Sequence, residues 1–150
     1  IGLSVDSLYA HIAWLRTIKE KIVFNGMKNM EVTFPLIEDI SMNVANKFGM
    51  IQPNQSNTQA VRAVFIIDPQ AKIRTILYYP LSTGRNFDEV LRVIDSLQLT
   101  AKFKVATPAN WKDGNDVIIG AAVTDEEAKT LFPGGWKTVK PYLRVLPQPK

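Results

Sequence analysis

The chain has 150 residues, of which 46% are hydrophobic and 21% charged, and its net charge is +4. This composition is typical of one folded domain, or one domain with a small appendage, and it excludes a disordered chain. We expect no membrane partner and no nucleic-acid partner, since no apolar run approaches the ~20 residues of a span, no signal peptide is visible, and the cations are scattered.

The sequence begins with a predicted strand and an amphipathic helix. Residues 1–5 form a short apolar run, and because the run opens without Met we expect the chain to be a piece of a longer protein. Asp6 or Ser7 can cap the helix, whose apolar residues continue at helical spacing to Ile22. Asn25 and Gly26 then end it.

The next part of the chain contains another strand, another helix and a hairpin. The pattern predicts a strand within 32–39 and a short helix within 41–50, followed by a polar surface loop at 51–60. Two runs rich in β-formers, 61–68 and 72–79, are separated by a three-residue turn, which is typical of a β-hairpin.

A well-marked helix follows the hairpin. Asn86 can cap it, Glu89 completes a capping-box pattern, and apolar residues follow helical spacing to about Leu99. The order of strand, helix, strand, helix, hairpin and helix predicts an α/β sandwich, with a mixed sheet between helices.

The sequence pattern changes after Thr100, where frequent turn-forming residues predict a small α+β extension. It contains a loop leading to a strand, a short helix capped by Thr124, and a final apolar strand. We therefore divide the chain into 1–100 and 101–150. Trp111 and Trp136 lie in turn-rich stretches and are expected to hold the extension onto another part of the structure.

Most catalytic sites are excluded by the residues that are absent. There is no cysteine and only one histidine, so no disulfide, thiolate metal site, histidine pair or cofactor is expected. Phosphate-loop, dinucleotide and nucleophile-elbow motifs are missing. A Ser-His-Asp arrangement around His11 is conceivable, but a histidine that packs or hydrogen-bonds on its helix is the favoured interpretation.

Two arginines are candidates for an anion site. Arg62 opens a strand apolar enough to be buried, where its charge must be paired or face a polar pocket; alternatively it lies at the strand end and reaches solvent or a carboxylate. Arg85 precedes the helix N-terminus, where the helix dipole disfavours cations, and follows a flexible turn. It is either a solvated loop residue or part of a site that attracts something negative. Arg74 and Arg92 are interpreted as ordinary surface charges.

Several long motifs resemble one family closely. "VRAVFIIDP", "YYPLSTGRNFDEVLRVIDSLQLT", "VATPANWKDGNDVII" and "KPYLRV" are similar to the one-cysteine peroxiredoxins, the subfamily with a C-terminal extension. "GLSVD", "HIAWL" and "FPLIED" match as well, so the resemblance extends over nearly the whole chain. It implies a thioredoxin-like fold, here with an incomplete core, and thiol-dependent reduction of hydrogen peroxide and organic hydroperoxides.

The resemblance also identifies what this chain lacks. In the family the reactive cysteine belongs to a P-x-x-x-[TS]-x-x-C motif that nothing here matches, so the chain alone is expected to be inactive. The family's two site arginines correspond to Arg62 and Arg85. Arg62 is then expected to pair with the sulfur and the peroxide, and Arg85 to add positive potential.

The resemblance further implies partners. The partners are a homodimer formed through the edge strand from Lys72 to Tyr79 and through the extension, a hydroperoxide substrate, and an external thiol reductant. Independently of the resemblance, the cytoplasm is the default compartment, and an organelle is the alternative if a targeting segment is missing. Some animal members also hydrolyse phospholipids through an Asp where this chain has Gln70, so lipid hydrolysis is not predicted.

Two other functions remain open at this stage. One is a non-catalytic dimerisation or chaperone-like module that begins at Ile1. The other is an anion-binding protein, associated with nucleic acid, that uses Arg62, Arg85 and the scattered lysines; the evenly mixed charges argue against it.

Overall fold

The structure is a computed structural model that describes residues 1–56 and 58–150. It contains four helices and eight strands within those residues. They are β1 (Gly2–Ser4), α1 (Leu8–Lys21), β2 (Leu36–Glu38), α2 (Asn43–Lys47), β3 (Arg62–Ile67), β4 (Ile73–Tyr79), α3 (Phe87–Lys102), β5 (Val105–Ala106), β6 (Val117–Ile119), α4 (Asp125–Leu131), β7 (Lys137–Lys140) and β8 (Leu143–Leu146). The predicted loop at 51–60 lies among the described residues except for Asn57, which is outside them.

Three helices begin at the caps that the sequence predicts. The side chain of Ser7 accepts from the Ala10 N–H at 3.3 Å, and Asn86 and Thr124 each accept from the N–H three residues later at 3.2 Å. Each bond satisfies one of the free donors of a helix's first turn and contributes about 1 kcal/mol.

The short helix α2 is capped by a residue that the sequence pattern did not single out. The buried carboxylate of Asp39 accepts from the N–H groups of Val44 (3.1 Å) and Ala45 (2.7 Å). Since two backbone donors share one carboxylate, Asp39 fixes the start of this helix although it lies several residues earlier in the chain.

The mixed sheet expected from the element order is not formed as one sheet. β1 and β2 pair in parallel, with Gly2 opposite Leu36, while β3 and β4 form a separate two-stranded sheet. A connection of five residues makes the second pair an antiparallel hairpin, because parallel strands need a crossover of a dozen or more residues. Hydrophobic alternation predicts that a segment is a strand, but it does not identify the strand's neighbours.

Two compact units divide the chain. One comprises Ile1–Phe65 and Thr75–Arg85, and the other Ile66–Arg74 and Asn86–Lys150. Helix α3 therefore belongs to the second unit, so the compact units do not coincide with a division at residue 100.

The second unit has a hydrophobic core of its own around the antiparallel sheet β5-β6-β8-β7. Trp111 is only 1% exposed at its centre and donates its Nε1–H to the Asn115 carbonyl at 3.1 Å. Trp136 packs on the edge of this core. The expectation that Trp111 attaches the extension to another part of the structure is therefore wrong, because its ring fills the interior of its own unit.

A buried arginine fixes the start of α4 in the same unit. Arg144 is 7% exposed; it donates to the carbonyls of Val123 (2.5 Å) and Gly120 (3.4 Å) and pairs with Asp125 (2.6 Å). A second pair, Lys104 with Glu127, contacts the same helix but is solvent-exposed.

We predict that Arg144→Ala destabilises the chain by about 2–3 kcal/mol, because it leaves buried carbonyls without donors. Lys104→Ala is the matched control and should cost less than about 1 kcal/mol, as exposed ion pairs do. The free energies of unfolding come from urea titrations of the two variants and the wild type. Equal losses in both variants would contradict the proposed role of Arg144.

Candidate functional site

The structure places Arg62 at the first residue of β3, with its side chain exposed. Arg62 therefore lies at the strand end and reaches solvent, and its guanidinium contacts a carbonyl and not a carboxylate. Its backbone position is well defined, because the preceding residue, Val61, is buried and donates its N–H to the Met50 carbonyl at 2.8 Å.

Arg85 lies in the segment that follows β4. Each of the two arginines donates a hydrogen bond to a backbone carbonyl close to the other arginine in the sequence. Arg62 Nη1 donates to the carbonyl of Thr83 at 3.4 Å, and Arg85 Nη2 donates to the carbonyl of Ala63 at 3.3 Å. A turn in which Thr83 N–H donates to the Pro80 carbonyl at 3.0 Å shapes this segment. The reciprocal contacts show that two residues distant in the sequence lie close together in the fold.

An aromatic cluster of Phe48, Phe65 and Tyr78 packs on the hairpin that carries Arg62 and holds the hairpin in place. Phe65 on β3 packs edge-to-face against Phe48 (5.2 Å between ring centroids) and Tyr78 (5.8 Å). Tyr78 closes the cluster by donating its hydroxyl to the Phe48 carbonyl at 2.5 Å. Such ring pairs contribute about 0.5–1.5 kcal/mol each beyond their burial, so the strands that carry Arg62 and Tyr79 are held together near the site.

The two guanidinium groups repel each other. Partial burial lowers the pKa of Arg85, the positive charge of Arg62 lowers it further, and Tyr79 acts in the opposite direction. Across residues 1–56 and 58–150, the ion pairs involve neither Arg62 nor Arg85. The site therefore holds two positive charges without a carboxylate to balance them.

Two of the other arginines behave as the sequence predicts for surface charges. Arg74 pairs with Asp68 at 3.5 Å, and Arg92 forms a two-pronged pair with Glu89 at 2.6 and 2.8 Å on the surface of α3. Arg62 and Arg85 differ from these two arginines because the ion pairs of the described residues do not include them.

Sequence reasoning missed the residues that position the arginine pair. Tyr79 ends β4 beside Arg85, and the Thr83 carbonyl receives Arg62. The turn-forming stretch after Tyr79 was visible in the sequence. Which carbonyl it presents, and to which side chain, depends on the path of the folded backbone.

The single histidine is part of the structure of the first unit and does not form a catalytic triad. His11 is 5% exposed, and its Nε2 is hydrogen-bonded to Ser4 Oγ at 2.7 Å. The nearby carboxylate of Asp6 accepts from the same serine hydroxyl at 2.8 Å, whereas a triad needs the carboxylate on the other histidine nitrogen. The interpretation of His11 as a hydrogen-bonded packing residue is confirmed.

Within the part of the chain that the structure describes, no group of three histidine, cysteine or acidic residues could hold a metal ion. The helices of that part are also too short or too polar to cross a membrane.

We predict that Arg92→Ala raises the pKa of Glu89 toward its ordinary value, because the hydrogen bond from Arg92 is the main cause of its lowered pKa. A lowered folded pKa stabilises the fold above the unfolded pKa, and this contribution is lost as the pH falls through the folded pKa. The carboxyl carbon of Glu89, followed by NMR between acidic and neutral pH, reports the shift. Arg74→Ala is the control, and an unchanged titration of Glu89 in Arg92→Ala would refute the assignment.

Two family profiles match the sequence in succession. Residues 1–76 match the AhpC/TSA family, and residues 96–135 match the C-terminal domain of 1-Cys peroxiredoxin.

Individual proteins agree with the two profiles. A peroxiredoxin of Methanosarcina mazei is 63% identical over 129 residues, which are 86% of this chain and 59% of that protein. A 1-Cys peroxiredoxin of Dictyostelium discoideum is 48% identical over 99% of this chain and 59% of its own length. The solved structure of a yeast mitochondrial 1-Cys peroxiredoxin superimposes with a TM-score of 0.84 at 44% identity, covering 97% of this chain and 68% of that one. The chain thus spans about three fifths of the length of the two relatives.

Proposed function

The chain belongs to the peroxiredoxin family and shares its thioredoxin-like fold, and on that premise we propose that Arg62 and Arg85 form the cationic part of a thiol peroxidase site. The observation that supports the proposal is the unbalanced pair of guanidinium groups, which the hairpin and the following turn hold together. A site of this kind favours a thiolate, and it favours the negative charge that develops on a peroxide oxygen as the O–O bond breaks.

The proposed reaction is thiol-dependent reduction of hydrogen peroxide and organic hydroperoxides. A cysteine thiolate attacks one peroxide oxygen, the O–O bond breaks, sulfur is oxidised to a sulfenic acid, and the other oxygen takes a proton and leaves as water or alcohol. The chain contains no cysteine. The thiolate therefore comes from outside these residues, and the chain alone is expected to be inactive.

The arginines act on the charge that moves during this step. Their positive charge stabilises the thiolate over the thiol, which keeps the nucleophile in its reactive form near neutral pH. As the bond breaks, negative charge passes from sulfur to the leaving oxygen. Fixed N–H donors around both atoms then stabilise the transition state more than the ground state.

In the longer polypeptide that joins these residues to the family's cysteine motif, we predict that Arg62→Ala or Arg85→Ala lowers kcat/KM for hydrogen peroxide. The expected loss is about 100-fold, as for other donors to a developing oxyanion. Stopped-flow measurement of peroxide consumption gives the rate. Circular dichroism checks that the fold is retained.

Arg16→Ala is the control for the loss of an exposed arginine charge away from the site and from β4, and its rate should be unchanged. If both site variants kept the wild-type rate, the arginines would have no part in peroxide reduction.

We also propose a homodimer formed through β4 and the C-terminal extension, with an external thiol as the reductant. In the described structure β4 pairs only with β3, so one backbone edge remains available, and Ile73, Ile76 and Tyr78 on this strand are all more than 40% exposed. An exposed edge with apolar side chains favours pairing with another strand. The yeast mitochondrial 1-Cys peroxiredoxin has a thiol-resolving mechanism via glutathione and thioredoxin systems, and the similarity to that protein supports a thiol as the reductant.

We predict that Ile76→Lys shifts the chain from dimer to monomer, because it places a charge on the apolar face of the pairing strand. Ile22→Lys, at a similarly exposed apolar position away from β4 (42% exposed, against 44% for Ile76), is the control and should leave the dimer intact. Sedimentation velocity at matched concentrations separates the two species. A monomeric wild type, or a dimer that survives Ile76→Lys, would argue against this interface.

The division at residue 100 and the compartment stay predictions. The match of residues 96–135 to the C-terminal domain of the subfamily supports an extension that begins near residue 100. The cytoplasm remains the expected location.

A further inference from the structure

The chain contains no cysteine and so no thiolate, and the positive charge of the arginine pair is therefore left unbalanced. Each guanidinium carries five N–H groups in a planar fork, and the described contacts of Arg62 and of Arg85 use one each, at 3.4 and 3.3 Å to a backbone carbonyl. Donors of this kind are strongest when the acceptor is itself charged. The remaining N–H groups are therefore able to bind an anion.

The repulsion between the arginines favours such a ligand. Burial and the neighbouring charge of Arg62 both lower the pKa of Arg85, so the positive charge of Arg85 is held there at an electrostatic cost. An anion that contacts both forks removes this penalty at once. By contrast, Arg74, Arg92 and Arg144 already have carboxylate partners and gain nothing comparable.

The shape of the donors selects the class of anion. Two planar forks match the paired oxygens of a tetrahedral oxyanion, which accepts two parallel hydrogen bonds from each fork. Chloride is spherical and singly charged, and it satisfies fewer donors. Both arginine side chains are exposed, so a small ion in solution reaches them without a change in the fold.

From these observations we infer that the Arg62–Arg85 pair is a binding site for doubly charged tetrahedral oxyanions, represented by inorganic phosphate, and that an oxyanion bound there competes with hydroperoxide. Binding itself depends only on the two arginines. The competition rests on the peroxidase function proposed above, because the oxyanion and the peroxide would occupy the same donors.

The binding test uses the 150-residue chain, in which no thiolate is present. Arginine Nε–Hε resonances are followed by NMR while phosphate replaces chloride at constant ionic strength. We expect saturable shifts for Arg62 and Arg85, and a loss of affinity of at least about tenfold in Arg62→Ala and in Arg85→Ala, as when a charge-assisted hydrogen bond is removed.

Two kinds of variant separate specific binding from a general effect of charge. Arg74→Ala removes a cation from the same hairpin and should bind phosphate with wild-type affinity. Arg62→Lys and Arg85→Lys keep the charge but not the fork, and they should bind more weakly than wild type and more tightly than the alanine variants. A parallel titration with glycerol phosphate tells whether a free ion or a phosphate ester is preferred.

The inference is overturned if wild type shows no saturable shift, or if Arg74→Ala weakens binding as much as the site variants. The second arm measures peroxide reduction in the cysteine-containing polypeptide with phosphate or chloride at equal ionic strength. Competition raises KM for peroxide and leaves kcat unchanged; an unchanged KM overturns the competitive part.

The two proposals fail in different ways. Phosphate binding that depends on the arginines, together with peroxidase rates that do not, would remove the proposed function and leave the anion site. Peroxidase rates that depend on the arginines, without any phosphate binding, would leave the proposed function and remove the anion site.

Discussion

The candidate site depends on holding two like charges close together. Arg62 and Arg85 repel each other, and no carboxylate among the described residues relieves that repulsion. Their own contacts to carbonyls are long and contribute little. The backbone must therefore fix the arrangement: Val61 is buried and hydrogen-bonded just before Arg62, a turn precedes Arg85, and the aromatic cluster of Phe48, Phe65 and Tyr78 holds the two strands together. A site organised before the ligand arrives needs little reorganisation when charge develops, which is what electrostatic catalysis requires.

The two compact units differ in how much apolar surface they bury. The second unit encloses Trp111, Val117 and Ile119 almost completely, whereas the fully buried apolar side chains described in the first unit are only Ala45 and Val61. Helix α1 in the first unit leaves Trp14 55% exposed. Hydrophobic burial is the main favourable term in folding. The arginine pair lies on the first unit, which has fewer buried apolar side chains among its described residues.

Local sequence patterns predicted the elements well, because the forces behind them act over a few residues. The caps at Ser7, Asn86 and Thr124 need only a side-chain oxygen three residues before a free N–H, and all three form. The hairpin is likewise specified by two β-rich runs and a short turn. Asp39 was missed because the donors that it binds lie five and six residues away, across an irregular turn. Trp111 was misjudged because turn-rich flanks do not reveal that the ring fills a core to which β5, β6, β8 and α4 contribute residues.

By itself, the sequence determined the helices, most of the strands, the absence of cysteine, and, through long shared motifs, the family and the two arginines as candidates. Only the tertiary structure decided how the strands pair, where Trp111 and His11 are buried, and which groups surround each arginine. Arg62 and the Thr83 carbonyl that it contacts are 21 residues apart, and nothing local in the sequence links them. Their proximity results from chain reversal in the hairpin and the turn after it. Electrostatic interactions depend on distance in space, so the charge environment of the site emerges only when the folded backbone brings the two segments together.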